Sequence, residues 1–256
     1  MIAFTTSCYT MGKIVGPEAA SQIVQRLVAR DPTIPSHIPK PDCVQTVHTL
    51  EQVATDMIGV YCEAATSHLG AMRCRAQDWA IKQRADFWIS CDDDNWASPA
   101  ALSTMLHWLR RDKPTAVAIP CALRTENRDN VRVVPGIPVQ YLVDRAQPVV
   151  PIEWAGFGIV GVNRAALDLI EQEHAGLAYV DIDGATRLAS FSEAWTDNPN
   201  GGREWMREDR AWWHRLPVEV QRLAVCAGES THAGRKLDLW DWSKPLLDPF
   251  DGDAVQ

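Results

Sequence analysis

The chain has 256 residues and a formal net charge of −8, because 33 Asp and Glu residues outnumber 25 Lys and Arg residues. The length permits one large α/β domain or two small ones, and the acidic balance argues against a protein that coats nucleic acid. No apolar run approaches the ~20 residues of a membrane span, and the opening Met1–Phe4 shows no signal peptide. The seven cysteines form no CxxC pair, so we expect neither a zinc ribbon nor a disulfide framework, but reduced thiols in the cytoplasm.

The first strand is predicted over Ile2–Thr6, followed by a polar turn and a helix that Pro17 opens. This order of strand, loop and helix is typical of the start of a nucleotide-binding α/β unit. It contains neither GxGxxG nor GxxxxGK[ST], so no dinucleotide fingerprint or P-loop is present. The proline-rich segment 31–43 is predicted as a connection and 44–50 as a second strand.

Residues 51–84 are predicted to be mostly helical. The later part of this segment carries Arg73 and Arg75 on its buried side, shortly before an acidic stretch. Arginines on a helix commonly form a solvated face. Their closeness to the acidic stretch makes Arg75 a candidate for contact with an anion.

The most informative stretch is 85–98, in which the apolar run 87–91 stops at three consecutive aspartates, Asp92–Asp94. The run has the length of a buried strand, and Ser98 and Pro99 then supply the N-cap and first residue of a helix. If the strand continued through the triplet, its first and third carboxylates would point to the same side, where Mg²⁺ or Mn²⁺ would relieve their repulsion. The alternative is an ordinary turn, in which aspartate side chains bond to nearby backbone.

The next segments alternate between apolar runs and loops. Strands are predicted at 115–120 and after Gly156 and Gly158, and a helix at 165–171. The polar, proline-rich segment between the first two contains short strands near 131–134 and 139–143, as a hairpin or a mobile flap. The two glycines allow close approach to the backbone, or simply mark a bulge.

The last third is predicted as a loop-rich segment 181–204, with a clear turn at 198–202, and then a helix over 203–216. A short strand at 223–227 precedes a polar stretch that contains His232. Eleven tryptophans is a high number. Core positions are the default interpretation, although tryptophans outside the core often line carbohydrate or base-stacking sites.

Six of these stretches occur in an order that resembles the GT-A glycosyltransferases, in particular compact single-domain members of family-2 character from bacterial and phage genomes. The stretches are 5–9, 75–77, 87–94, 155–158, 208–210 and 231–234. The resemblance implies an α/β fold with a mixed, mostly parallel sheet flanked by helices. It implies a single GT-A (nucleotide-diphospho-sugar transferase) domain over 1–236, with 237–256 as a tail that is disordered or folds over the site.

The resemblance also implies a role for each matching residue. The residues that would contact the donor nucleotide and its diphosphate are Thr6, Ser7, Tyr9, Arg75, Asp92, Asp93, Arg235 and Lys236. The residues that would hold Mn²⁺ or Mg²⁺ are Asp92, Asp94 and His232. The residues that would form the base of the site for the acceptor and the donor sugar are Trp154, Gly156, Phe157 and Gly158. Asp209, with Glu208 beside it, would be the general base of an inverting enzyme.

The implied activity is transfer of one sugar from a nucleoside-diphosphate sugar, a UDP-sugar by default, to an acceptor hydroxyl. A cation would stabilise the leaving diphosphate, and the hydroxyl needs a carboxylate within hydrogen-bond reach. The chain lacks the Gln-x-x-Arg-Trp box of processive polysaccharide synthases. The acceptor stays open among a glycan, a protein, a small molecule and a modified DNA base. The oligomeric state also stays open. The expected compartment is the cytoplasm, which is that of the host if the protein is phage-encoded.

Two other classes of function stay open. A nucleotidyltransferase shares the α/β core and acidic metal site, but would usually carry a glycine-rich loop with a basic residue after the first strand, where this chain has only Lys13. A non-catalytic protein that binds nucleotide or carbohydrate would keep the fold without turnover. Retaining GT-A enzymes also carry the acidic motif and the histidine, so the stereochemistry does not follow from these residues.

Overall fold

The computed structural model describes residues 1–38, 40–64, 69–121, 131–133, 148–197, 203–233 and 235–239. Its strands are β1 Ile2–Cys8, β2 Ile58–Ala64, β3 Phe87–Asp92, β4 Asn95–Ala97, β5 Thr115–Ala118, β6 Val131–Val133, β7 Val149–Ala155, β8 Ile159–Asn163, β9 Ala178–Val180, β10 Thr186–Leu188, β11 Ala194–Asp197, β12 Arg203–Met206, β13 Gln221–Val225, β14 Glu229–His232 and β15 Arg235–Asp238. Its helices are α1 Tyr9–Val15, α2 Pro17–Val28, α3 Asp42–Val53, α4 Leu69–Lys82, α5 Pro99–Leu109, α6 Arg164–Glu173 and α7 Glu208–Arg215, with a 3-10 turn at His174–Leu177. Among the helices in these ranges, none has the length and apolar character needed to cross a membrane.

Eight strands form one sheet in the order β2-β1-β3-β8-β5-β13-β7-β6. Strand β1 is parallel to β2 and β3, and β13 is parallel to β5. Strands β8 and β7 are each antiparallel to both of their neighbours, so the other six of the eight strands share one direction. The prediction of a mixed, mostly parallel α/β sheet is therefore confirmed in strand direction.

Helices cover both faces of the sheet. Along β3, Phe87, Ile89 and Cys91 face a core that α2, α3 and α5 complete. Trp88 faces the opposite core, to which α4, α6 and α7 contribute. A strand buried on both faces is a continuous apolar run, which explains why 87–91 could be predicted as a strand.

The helix predicted after the aspartates is confirmed, together with its N-cap. The Oγ atom of Ser98 accepts a hydrogen bond from the backbone N–H of Ala101 at 3.4 Å, and Pro99 is the first residue of α5. Proline loses nothing at this position, because the first N–H groups of a helix have no partner within the helix.

Two predictions in the first third are wrong. Residues 44–50 belong to helix α3 rather than to a strand, and β2 lies within the segment predicted as helical. The β-branched residues of α3 favour a strand locally, but its buried residues recur at helical spacing, so packing overrides propensity. Those buried residues are Cys43, Val44, Thr46, Val47, Thr49 and Leu50.

The segment predicted as one helix over 203–216 is divided. Strand β12 occupies its first four residues and α7 begins only at Glu208. The strand predicted near 131–134 is confirmed as β6. The strand predicted at 139–143, the turn at 198–202, Gly234 and residues 240–256 lie outside the described residues. The division into a domain over 1–236 and a tail stays a prediction.

Candidate functional site

The aspartate triplet forms the turn between β3 and β4 instead of continuing the strand. Asp92 ends β3, and Asp93 and Asp94 occupy the turn before Asn95. Asp93 is only 2% exposed and accepts a hydrogen bond from the backbone N–H of Met11 in α1 at 2.7 Å. Asp93 therefore ties the turn to α1, and its buried side chain is not presented to a donor in the way that we predicted.

Arg73 of α4 joins two acidic motifs that lie far apart in the sequence. Its Nη2 donates to both carboxylate oxygens of Asp92, at 3.0 and 3.2 Å, and its Nη1 lies 3.4 Å from Oε1 of Glu208. The side chain is 3% exposed, and the guanidinium carbon lies 5.2 Å from the centroid of the Phe157 ring. Burial alone would lower the pKa of Arg73, but Asp92, Asp209 and Glu208 together raise it. Arg73 is thus a buried charged junction between the end of β3 and the start of α7.

The carboxyl group of Asp92 titrates far from its ordinary range. Burial raises the pKa of Asp92 to about 6, and the neighbouring charges of Asp94 and Asp93 add to this increase. Arg73 acts in the opposite direction and offsets only part of it. Strongly shifted carboxyls concentrate at functional sites, where burial and like charges are brought together.

This shifted pKa predicts a pH-dependent contribution of Asp92 to stability. The folded-state pKa of about 6 exceeds the ordinary value of 3.8, so between these values the folded state binds a proton that the unfolded state has released. The stabilisation is fully present below the ordinary pKa and is lost as the pH rises through about 6, by up to about 3 kcal/mol. Urea denaturation over this range should show a larger loss in the unmodified protein than in Asp92→Asn, since Asp42, whose pKa is also raised, is present in both. Parallel pH profiles of the two proteins would contradict it.

Asp94 and His232 lie side by side. Strand β14 pairs with β4 in a register that places His232 opposite Asn95, and Nε2 of His232 is 3.5 Å from Oδ2 of Asp94. Nδ2 of Asn95 donates to Oδ1 of Asp94 at 3.0 Å. Oδ1 of Asn95 is buried and has no hydrogen-bond partner among the described residues. Carboxylate and imidazole groups suit Mn²⁺ or Mg²⁺, so Asp94 and His232 are of the residue types that bind such a cation, whereas Asn95 turns its amide nitrogen towards Asp94.

The three metal ligands that the resemblance implies are not assembled as one group. The carboxylate of Asp92 accepts hydrogen bonds from Arg73, whereas Asp94 contacts His232. Across the described ranges, no three His, Cys, Asp or Glu side chains form a metal-binding group. The metal-ligand roles of Asp92, Asp94 and His232 therefore all stay predictions, and of these three residues Asp94 and His232 lie next to each other.

Asp42, in the first turn of α3, is a further acidic residue at this edge. Burial and then the charge of Asp94 raise its pKa, whereas a hydrogen bond with Thr231 and the proximity of His232 act in the opposite direction. Asp42 therefore adds negative charge close to Asp94. We assigned it no role from sequence, because it lies in a segment that we predicted as a connection.

Arg75 lies apart from the junction. Its Nε donates to Glu63 at the end of β2 at 2.9 Å, and its Nη1 donates to Asp181 at 3.0 Å. Asp181 also accepts a hydrogen bond from Arg187 of β10 at 2.9 Å. These bonds join α4 to the β9–β10 hairpin. The helix thus carries one buried and one half-buried arginine, and it is the buried Arg73, not the favoured Arg75, that contacts the aspartate triplet.

The residues implied as base and ribose contacts end the first strand. Thr6 and Ser7 lie in β1 and are buried, and Tyr9 is the first residue of α1. Ser7 is in register with Asp92 of β3 and with Glu63 of β2, so all three residues lie at the carboxyl edge of the sheet. This edge is where open α/β sheets bind their ligands.

The basic residues after His232 belong to the β14–β15 hairpin. Arg235 lies directly opposite His232, so the two side chains project to the same side of the hairpin. Lys236 is opposite Thr231, on the other side, and forms an ion pair with Glu229 at 2.6 Å. This placement favours Arg235 over Lys236 as a contact for an anion held near His232.

The segment 154–158 has two different parts. Phe157 is a core residue, packed edge-to-face against Phe191 and Trp212 with ring centroids 4.8 and 4.9 Å away. Its ring therefore packs against the guanidinium of Arg73 in the core, and it does not lie on the exposed sugar-binding surface that we predicted. Gly158 passes close to Asn95, since an added Cβ would lie 3.0 Å from Oδ1 of Asn95. Gly156 and Trp154 are partly exposed beside it.

Glu208 and Asp209 form the first turn of α7, where acidic side chains complement the helix dipole. Oδ1 of Asp209 accepts a hydrogen bond from the backbone N–H of Arg210 at 2.8 Å. Glu208 also lines a cleft of about 580 Å³ between α4 and the segment 189–193. The residues lining this cleft are Leu69, Gly70, Ala71, Cys74, Tyr179, Ala189, Phe191, Ser192, Glu193 and Glu208.

Comparisons with known proteins yield only distant structural likenesses. No protein-family model matches the chain, and no curated protein matches it. It is similar in structure to A197 from STIV, with 10% identity, coverage of 90% of this chain and 84% of that one, and a TM-score of 0.44. It is also similar to a mannose-1-phosphate geranyltransferase from Thermus thermophilus, with 12% identity, coverage of 93% and 76%, and a TM-score of 0.38. Likenesses at these scores carry no argument about function.

Proposed function

We propose that this chain is a metal-dependent, non-processive glycosyltransferase that moves one sugar from a nucleoside-diphosphate sugar to an acceptor hydroxyl with inversion. The single observation that carries the proposal is the junction at Arg73. Its guanidinium holds Asp92 at the end of β3 and Glu208 at the start of α7, beside the turn that carries Asp94. The acidic motif and the Glu-Asp motif, which the resemblance assigns to donor and base, therefore share one site.

Each group has a defined task in this proposal. The acceptor oxygen forms a bond to the anomeric carbon as the bond from that carbon to the diphosphate oxygen breaks, and the electron pair leaves with the diphosphate. The proton of the acceptor hydroxyl passes to the carboxylate of Asp209. Asp209 is partly exposed at the start of α7 and close enough to Arg73 to raise its pKa. Its partial exposure and its closeness to Arg73 support the role of general base.

The charge of the site supports a cation. Asp92, Asp94, Asp42 and Glu208 surround the turn and the Arg73 junction. Asp94 and His232 would hold Mn²⁺ or Mg²⁺. When bound, such an ion supplies positive charge for the leaving diphosphate. Arg235, on the same side of its hairpin as His232, would contact the same diphosphate.

Calorimetric titration with UDP tests the proposal. We expect UDP to bind when Mn²⁺ is present and at least about tenfold more weakly when EDTA replaces it, as is typical when a metal-site contact is lost. The same titrations with GDP, CDP and dTDP identify the base. If all four nucleotides fail to bind with Mn²⁺ present, the acidic triplet is only a turn and the transferase proposal is wrong.

A further inference from the structure

Two tryptophans face outwards from the β11–β12 hairpin. Trp195 and Trp205 are directly opposite each other in the register, 56% and 45% exposed, with ring centroids 5.2 Å apart in an edge-to-face arrangement. The next pair in the register, Ala194 and Met206, lies on the other side of the hairpin, where Met206 is buried. The hairpin thus buries one face and presents the indole rings on the other.

The chain connectivity keeps this pair next to the site. Trp205 precedes Asp209 by four residues, so their Cα atoms are no more than about 14 Å apart. Trp195 follows Glu193, which lines the cleft, by two residues, or no more than about 7 Å. The aromatic pair therefore lies within about 14 Å of the proposed base and within about 7 Å of a residue that lines the cleft, measured between Cα atoms.

The side chains that line the cleft indicate which class of ligand it can bind. Its described lining includes the carboxylates of Glu193 and Glu208 and contains no lysine or arginine. Phosphate binding needs basic side chains, and the described lining of the cleft offers none. The hydroxyl of Tyr179, also in the lining, is buried and makes no hydrogen bond within the part of the chain that the structure describes. Carboxylates and a free phenol offer acceptors and a donor for hydroxyl groups.

We propose that the Trp195–Trp205 pair and the adjacent cleft bind an uncharged oligosaccharide, which is the acceptor of the reaction. This inference rests on the proposed function and narrows the acceptor to a glycan. The apolar C–H face of a sugar ring packs on an indole face, while its hydroxyl edge reaches Glu193, Glu208 and Tyr179.

Saturation-transfer NMR with cellotriose, maltotriose, chitotriose and mannotriose tests the inference on the full chain. We expect at least one trisaccharide to bind, and the double variant W195A/W205A to weaken it by about tenfold or more. The double variant W195F/W205F keeps aromatic faces and should retain most of the affinity. Ile182→Ala, which removes an exposed apolar side chain from the β9–β10 hairpin, is the matched control and should change nothing.

Three results would overturn the inference: no trisaccharide binds, W195A/W205A binds as well as the unmodified protein, or only a single-stranded oligonucleotide binds through the pair. Circular dichroism and the UDP titration run on each variant separate a folding defect from a lost contact. Trisaccharide binding through the tryptophans without any UDP binding would retain this glycan site and refute the transferase. UDP binding without trisaccharide binding would refute the glycan site and leave the proposed transferase standing.

Discussion

Replacing Asp209 with asparagine is expected to lower the rate of sugar transfer by about 100- to 10,000-fold. The amide cannot accept the proton that the acceptor hydroxyl loses as it attacks. UDP binding should be unchanged, because Asp209 makes its hydrogen bond within its own helix, to the backbone N–H of Arg210. The measurement is release of UDP from a UDP-sugar in the presence of acceptor, together with the calorimetric UDP titration on the same preparation.

Glu219→Gln is the matched control for this variant, since Glu219 is exposed beyond the end of α7 and should leave both values unchanged. A rate within about threefold of the unmodified enzyme for Asp209→Asn would be far outside the range expected for a lost general base. It would show that Asp209 is not the base and would favour a retaining mechanism or a different carboxylate.

Replacing Arg73 with methionine is expected to lower the free energy of unfolding by about 3 to 5 kcal/mol at neutral pH. Methionine has a similar length and still packs against Phe157, but it leaves Asp92 and Glu208 partly buried without their common partner. Removing one member of a buried ion pair is costly for this reason. Equilibrium denaturation with urea measures the change.

The control for Arg73 is the ion pair of Arg110 with Asp56, which has a similar length of 2.7 Å but is substantially exposed. Arg110→Met should cost no more than about 1 kcal/mol. Part of the stability of Arg73→Met should return when the pH is lowered, because protonation of Asp92 removes an unpaired charge. Equal losses for the two methionine variants would show that the ion pairs of Arg73 contribute no more to stability than an exposed ion pair does.

The elements that the sequence predicted well are those with a local cause. The strand 87–91 is apolar throughout because it is buried on both faces, and Ser98 with Pro99 is a helix start that needs no tertiary information. The prediction failed where packing decides between alternatives. Helix α3 is rich in β-branched residues, and edge strand β2 stands within a helix-like stretch, so neither shows its structure locally.

The predictions for the site divide in the same way, into those with a local signal in the sequence and those that depend on packing. Asp94 and His232 were chosen by motif and lie 3.5 Å apart. The sequence favours Arg75 over Arg73 by motif alone, because both are basic residues on one helix and only tertiary pairing separates them. Arg73 meets Asp92, whereas Arg75 meets Glu63. The buried position of Asp93 was equally hidden, since it depends on a turn that draws the backbone of Met11 to its carboxylate.

The most direct test of a nucleotide and metal site at this edge is the UDP titration with and without Mn²⁺, applied to Asp94→Ala and His232→Ala. His107→Ala, which alters an exposed histidine on α5, serves as the control. We expect the metal-dependent part of UDP binding to disappear in both site variants and to persist in the control. UDP binding that responds to Mn²⁺ equally in all three variants and in the unmodified protein would contradict the proposed site.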